Sequence, residues 1–236
     1  MNRASDGRQS LTKLCYNEIR DRILLSYYRG DQVLIEGALA QEFGVSKTPV
    51  REALSLLVHE GLLTLLPRTG YQVPRVSVED VNNVYEVRIL LEGESATLAA
   101  MNATDEEILG WQADLEARSR LLQSSDAGLR DYLKFDEAVH MGIARLAGNR
   151  ILARLIAQLL REATRLGTTC PFASIASLHD EIETRRSLIA ALVDRDATAC
   201  RQLMREHVLQ WKSHVLETVT RQAAEQDRVQ QVSESG

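Results

Sequence analysis

The stretch from Glu36 to Gly61 constrains the fold most, because two short helical patterns meet there across a tight break. The second pattern repeats apolar residues at the spacing of one buried helix face. These residues are Val50, Leu54, Leu57 and Val58. Gly44 can adopt the left-handed conformation that ends a helix, and Ser46 is a favourable N-cap for the next one. The pattern predicts helices over about 36–43 and 46–60 that cross closely at the turn.

A further helix is predicted before this pair, and a β-hairpin after it. Apolar residues at helical spacing predict the first helix over about 11–25. Two short apolar runs at 62–66 and 71–73 flank a turn sequence at 67–70, which predicts the hairpin. Three helices followed by a hairpin are the layout of a winged helix-turn-helix domain, which we place at residues 8–75.

The remainder of the chain is predicted to be helical. With 13 Gly and 4 Pro in 236 residues, the sequence has too few turn formers for an all-β protein. Helices are predicted at about 78–101, 105–123, 126–147, 149–166, 175–194 and 196–222. The predicted fold is therefore mainly α, with an all-α antiparallel helical bundle at 76–222. The polar tail at 223–236 is predicted to be disordered.

Charge divides the chain into two unlike parts. Residues 1–75 hold 10 Lys or Arg against 8 Asp or Glu, whereas the rest hold 18 against 25. This asymmetry is compatible with nucleic-acid binding by the N-terminal part alone. The sequence contains no apolar run long enough for a transmembrane helix and no secretory signal, and its three cysteines lack metal-binding spacing. We therefore expect a cytoplasmic protein without a membrane partner.

The outer face at the start of the third helix carries candidate DNA contacts. A recognition helix enters the major groove with this part, and Arg51 can donate two hydrogen bonds to guanine or contact a phosphate. Polar residues at the hairpin tip are placed to enter the adjacent minor groove. The candidate DNA-binding residues are Ser46, Lys47, Thr48, Arg51, Arg68, Thr69 and Gly70. The alternative interpretation is a helical hairpin with a solvated basic face.

Residues 11–75 resemble the winged-helix DNA-binding domain of the GntR family of bacterial transcription regulators. The matching stretches are Leu39-Ala40, the run from Gly44 to Leu54, Glu60-Gly61-Leu62 and Arg68-Thr69-Gly70. Lys47 stands where arginine is usual, and lysine cannot make the planar bidentate contact. Gly37 stands where some members of the FadR subfamily carry a DNA-contacting arginine, so that contact is expected to be absent.

Residues 78–218 resemble the all-helical effector domain of the FadR subfamily, often called FCD. The matching stretches are 85–92, 136–140, 147–149 and 196–207. The resemblance implies a dimeric transcription regulator, usually a repressor, that binds a near-palindromic double-stranded operator. It also implies that a small carboxylate-bearing metabolite in the bundle modulates operator binding, and that the protein is not an enzyme.

Three residues of the bundle are candidate metal ligands. Asp136 and His140 lie four residues apart on one apolar helix face, and His207 lies on an apolar stripe of the last helix. A carboxylate and imidazoles suit Zn, Ni, Mn or Fe, although the spacing alone favours a buried, hydrogen-bonded Asp–His pair with an unrelated histidine. The resemblance implies one Asp and three His, but the position of the missing histidine is Arg185, which cannot ligate a cation. We predict that Arg185 takes over the charge role of a metal.

Arg88 is a second cation on an inward-facing stripe. A buried arginine needs an anionic partner, which is either a bundle carboxylate such as Asp136 or the carboxylate of a ligand. Asn149 is either a polar pocket group or a helix cap. The candidate effector-binding residues are Arg88, Asp136, His140, Asn149, Arg185 and His207. Two alternative functions remain at this stage: an architectural DNA binder without effector, and a metal-dependent enzyme in the bundle.

Overall fold

The structure, a computed structural model, describes residues 3–24, 27–122, 129–167 and 185–234. The chain forms two compact units, and the first consists mainly of the residues up to Ser77. The sequence predicted the boundary at 75–76. Each described helix is either too short or too polar to span a bilayer.

The N-terminal unit combines three helices with three short strands. In chain order they are α1 (Arg3–Leu24), β1 (Val33–Leu34), α2 (Glu36–Glu42), α3 (Lys47–His59), β2 (Thr64–Leu66) and β3 (Gly70–Gln72). Strands β2 and β3 form the predicted hairpin, with Leu65 opposite Tyr71. Strand β1 pairs antiparallel with the other edge of β3, giving the order β1-β3-β2. Strand β1 was not predicted, because two residues are too few to show a strand pattern.

The core of this unit lies on the inner face of α3. Val50, Leu54 and Leu57 are fully buried, as the helical spacing predicted. Gly44 has a φ of 66°, so the turn between α2 and α3 uses the left-handed backbone expected of it. Helix α1 begins at Arg3, earlier than the predicted start at 11, because polar residues continue a helix without adding to its apolar stripe.

Six helices follow Ser77 within the described residues. They are α4 (Val78–Asn102), α5 (Asp105–Leu122), α6 (Leu129–Leu146), α7 (Arg150–Gly167), α8 over 185–193 and α9 (Ala197–Glu234). Their positions follow the predicted helices closely. The predicted helix over 175–194 is helical from 185 to 193, and its first part, 175–184, lies outside the described residues.

Helices α4 and α9 run antiparallel along each other. At one end, Lys212 Nζ lies 3.5 Å from Glu86 Oε1, and further along the pair, Arg201 Nε donates a hydrogen bond of 3.0 Å to Thr97 Oγ1. Helix α9 continues to Glu234, so the predicted helix end at 222 is too early, and residues 223–234 of the predicted disordered tail are helical. The stretch contains Ala, Glu and Gln but no Pro or Gly before its end, so nothing in it breaks the helix.

Candidate functional site

The first turn of α3 presents polar side chains to solvent. Lys47, Thr48 and Arg51 are exposed, whereas Pro49 is buried beneath them. Ser46 occupies the predicted N-cap position with an extended backbone, but its side chain makes no capping hydrogen bond. The predicted major-groove residues therefore lie together on one accessible surface, at the helix end that a helix-turn-helix presents to DNA.

Arg51 forms a two-pronged salt bridge with Glu36 at the start of α2. Its Nε donates to Glu36 Oε1 over 2.9 Å, and its Nη2 donates to Oε2 over 2.9 Å. Tyr71 donates its hydroxyl to the same Oε1 over 3.2 Å. The hydrogen bonds from Arg51 lower the pKa of Glu36. The sequence analysis missed Glu36, because it lies 15 residues from Arg51 and no helical spacing connects them.

The hairpin tip is a tight turn with exposed Arg68 and Thr69. Arg68 has a φ of 66°, a left-handed conformation that is uncommon for a residue with a side chain. Gly70 has a φ of 146°, and a Cβ there would stand 2.6 Å from the carbonyl oxygen of Leu34. The predicted minor-groove residues thus occupy a projecting turn whose backbone requires glycine at its end.

Asp136, His140 and His207 meet in the bundle. His140 Nε2 lies 3.3 Å from His207 Nε2 and 3.5 Å from Asp136 Oδ1. His207 Nε2 lies 4.0 Å from the same carboxylate oxygen. Both histidines are buried and Asp136 is half-buried. Helices α6 and α9 therefore bring together the three residues that the sequence analysis grouped.

Arg185 points inward from α8 and binds this cluster. Its Nη2 donates to Asp136 Oδ1 over 2.7 Å and to the hydroxyl of Tyr132 over 3.2 Å. Its guanidinium carbon lies 4.9 Å from the centre of the Phe135 ring, within the range of a cation–π contact. The carboxylate that the resemblance assigns to a metal is thus paired with an arginine.

Glu92 completes the cluster, and the sequence analysis missed it. Arg88 Nε donates to Glu92 Oε1 over 2.6 Å, and Glu92 Oε2 forms an ion pair with His140 Nδ1. Only 2% of the Glu92 surface is exposed. Of the two partners considered for Arg88, the structure contains a bundle carboxylate, and it is Glu92 rather than Asp136. The four-residue spacing of Arg88 and Glu92 was a usable signal.

Mutual electrostatics fix the charges of these buried groups. Burial raises the pKa of Glu92, but the charges of Arg88 and His140 outweigh burial and lower it to about 2. Burial lowers the pKa of His140, but Glu92 and Asp136 outweigh burial and raise it to about 9. Burial and the nearby charge of His140 lower the pKa of His207 to about 3. At neutral pH, His140 is therefore protonated and His207 is neutral.

The cluster does not fit the divalent metal that the resemblance implies. Its three donor atoms lie within 4.8 Å of one another, a spacing that would allow a shared ion. However, Arg185 binds the Asp136 oxygen over 2.7 Å and would repel a dication. We therefore assign no Zn, Ni, Mn or Fe to these residues.

Asn149 is exposed and caps α7. Its Oδ1 accepts hydrogen bonds from the backbone N–H groups of Ile151 and Leu152, each over 3.1 Å. Of its two candidate roles, the structure supports the helix cap, because none of its described contacts reaches the buried cluster.

The charge of His140 gives a testable dependence of stability on pH. Because its pKa is higher in the folded protein, its contribution is complete below about pH 6.5 and is lost as the pH rises through about 9. We expect the free energy of unfolding to fall by about 3 kcal/mol across this interval. Urea unfolding at a series of pH values measures this change in the free energy of unfolding. His140→Gln should remove the decrease, whereas the same change at the exposed His214 should keep it.

Comparison with known proteins identifies the two units. Residues 11–73 match the model of the bacterial regulatory proteins of the gntR family, and residues 83–210 match the model of the FCD domain. The protein belongs to the GntR family, in the FadR-like group that carries an FCD domain. The family membership expected from the sequence resemblance is thus confirmed.

Characterised relatives of this GntR-family protein are transcription regulators. It is 28% identical to the HTH-type transcriptional repressor GlaR of Escherichia coli K12, over 82% of this chain and 90% of the relative. It is 29% identical to the HTH-type transcriptional regulator McbR of the same organism, over 84% and 89%. A solved structure of E. coli McbR/YncC superposes with a TM-score of 0.65 at 26% identity, covering 88% of this chain and 97% of the other. The protein is therefore a DNA-binding transcription regulator and not an enzyme.

Proposed function

We propose that this GntR-family regulator is a cytoplasmic homodimeric repressor whose hold on a near-palindromic operator is controlled by a small organic acid. Each protomer reads one half-site of double-stranded DNA, so a two-fold symmetric dimer requires a two-fold symmetric operator. The acid binds in the helical bundle and favours one spacing of the two DNA-binding domains, which shifts the population between operator-bound and free protein.

The exposed residues at the start of α3 support the proposed binding to DNA. Lys47 and Arg51 supply positive charge there, and the hydroxyls of Ser46 and Thr48 suit phosphates or base edges. Arg68, Thr69 and Gly70 form the projecting tip that enters the neighbouring minor groove. Phosphate contacts supply affinity irrespective of sequence, whereas Arg51 supplies base recognition through guanine O6 and N7.

The arginines beside the buried carboxylates support the effector part of the proposal. Among the described residues, Arg88 pairs with Glu92 and Arg185 pairs with Asp136. A guanidinium has five N–H donors, so Arg185 can bind Asp136 and a ligand carboxylate at the same time. A small organic acid would thus meet positive charge inside the bundle.

A thermal-shift screen of small carboxylic acids tests the effector proposal. Acetate, lactate, succinate and citrate, each with and without EDTA, should include at least one acid that raises the melting temperature by several degrees. The same acid should change the affinity for operator DNA in a fluorescence-anisotropy titration, with the same result in EDTA. If no acid in an extended panel shifts either quantity, the protein is an architectural DNA binder whose bundle serves only dimerisation.

A further inference from the structure

We propose that Glu36 is a positioning residue that sets the sequence specificity of DNA recognition by holding Arg51 in one orientation. The inference rests on the proposed binding of DNA through α3. It assigns a role to an acidic side chain on a surface that meets a polyanion, where an acid would otherwise only repel the phosphates.

Among the described residues, Glu36 binds one edge of the Arg51 guanidinium. Its Nε and Nη2 atoms both bind Glu36, at 2.9 Å each. This pairing uses the side edge of the planar guanidinium and leaves the end edge, formed by Nη1 and Nη2, directed away from Glu36. The end edge carries two parallel N–H donors, which match the two acceptors of guanine in the major groove. Glu36 thus holds Arg51 in an orientation in which its two free-edge N–H groups can bind one base.

Glu36 is itself anchored. Tyr71 of β3 donates to its Oε1 over 3.2 Å, and only 22% of the Glu36 side chain is exposed, against 62% for Arg51. A carboxylate fixed by the sheet therefore supports an arginine that reaches into solvent. Since α2, α3 and β3 each contribute one residue, the orientation of Arg51 is set by the packed domain rather than by α3 alone.

Positioning explains this arrangement better than stabilisation does. An exposed ion pair contributes little to folding, because water screens it and two side chains lose freedom. The same restriction is an advantage in recognition. Because Arg51 is already ordered in the free protein, it loses less conformational entropy when it binds the base. The negative charge of Glu36 also weakens binding to random DNA, whereas at the operator the contact made by the positioned Arg51 offsets this repulsion.

The test compares variants on a duplex that the wild-type protein selects from a randomised pool, with a scrambled duplex of equal composition as reference. We expect Glu36→Gln to lower the ratio of the two affinities at least tenfold, with unchanged or tighter binding to the scrambled duplex. Glu36→Asp should behave similarly, because its shorter side chain keeps the charge but cannot reach the Arg51 guanidinium. Glu42→Gln is the matched control, since Glu42 lies on the same helix but pairs with Arg22, and it should keep the wild-type ratio.

A double-substitution cycle separates positioning from a structural effect. If Glu36 acts through Arg51, adding Glu36→Gln to Arg51→Ala should change the ratio no further, and both single variants should lose discrimination at the same base pair. The inference would be overturned if the two substitutions lowered the affinity ratio additively. It would also be overturned if Glu36→Gln kept the wild-type affinity ratio or bound the operator more tightly. If the wild-type protein selects no duplex at all, the proposed DNA-binding surface fails first.

Discussion

We expect Arg51→Ala to abolish sequence-specific operator binding while leaving the fold intact. Arg51 is exposed and lies on the outer face of α3, so its truncation opens no cavity in the core. Loss of a bidentate contact to a base should cost roughly 1–3 kcal/mol of binding free energy in each half-site, and the proposed dimer has two. Titration of labelled operator at fixed salt, by gel shift or anisotropy, measures the loss.

Arg29→Ala provides a matched control for that experiment. Arg29 is an exposed arginine of the same unit, outside α3 and the hairpin tip, so the variant loses the same charge away from the predicted surface. We expect it to keep operator specificity and to change only the salt-dependent attraction slightly. Near wild-type operator affinity for Arg51→Ala would count decisively against docking through α3.

The helix-turn-helix was predictable because its signals are local. Gly44 and Ser46 mark the turn, and the stripe from Val50 to Val58 marks the buried face, all within a few residues of one another. The pairing of Glu36 with Arg51 was not predictable in the same way. It depends on how two helices and a strand pack, and an acidic residue in a first helical turn already has an ordinary role beside the helix dipole.

The sequence predicted most of the residues of the buried cluster but not which of them form ion pairs with one another. Periodicity placed Asp136, His140, Arg185 and His207 on inward faces, and the structure brings them within contact of one another. On α4 the buried face includes Glu92, whereas Leu91 is only half-buried. Neighbouring residues on a helix lie about 100° apart, so a pattern recognised mainly from apolar residues favours Leu91 over the adjacent Glu92 for the inward face.

The replacement of Arg185 by histidine is expected to create a metal site that the wild-type protein lacks. The variant would offer one Asp and three His, a set that suits Zn, Ni, Mn or Fe. It would also remove the guanidinium that binds Asp136 Oδ1 over 2.7 Å and repels a dication. Elemental analysis after purification should find about one metal ion per chain in the variant and none in the wild-type protein. Arg186→His is the matched control, because Arg186 is the adjacent but exposed arginine.

Arg185→Ala separates the charge of this residue from the geometry of a metal site. It should lose the thermal shift given by carboxylic acids, because no cation remains beside Asp136 on this side. It should also lower the free energy of unfolding by on the order of 3 kcal/mol, since it removes one partner of a largely buried ion pair. The wild-type protein should keep its acid response in EDTA. Stoichiometric metal in the wild-type protein, with acid binding lost on chelation, would show instead that Arg185 accompanies a metal rather than replacing it.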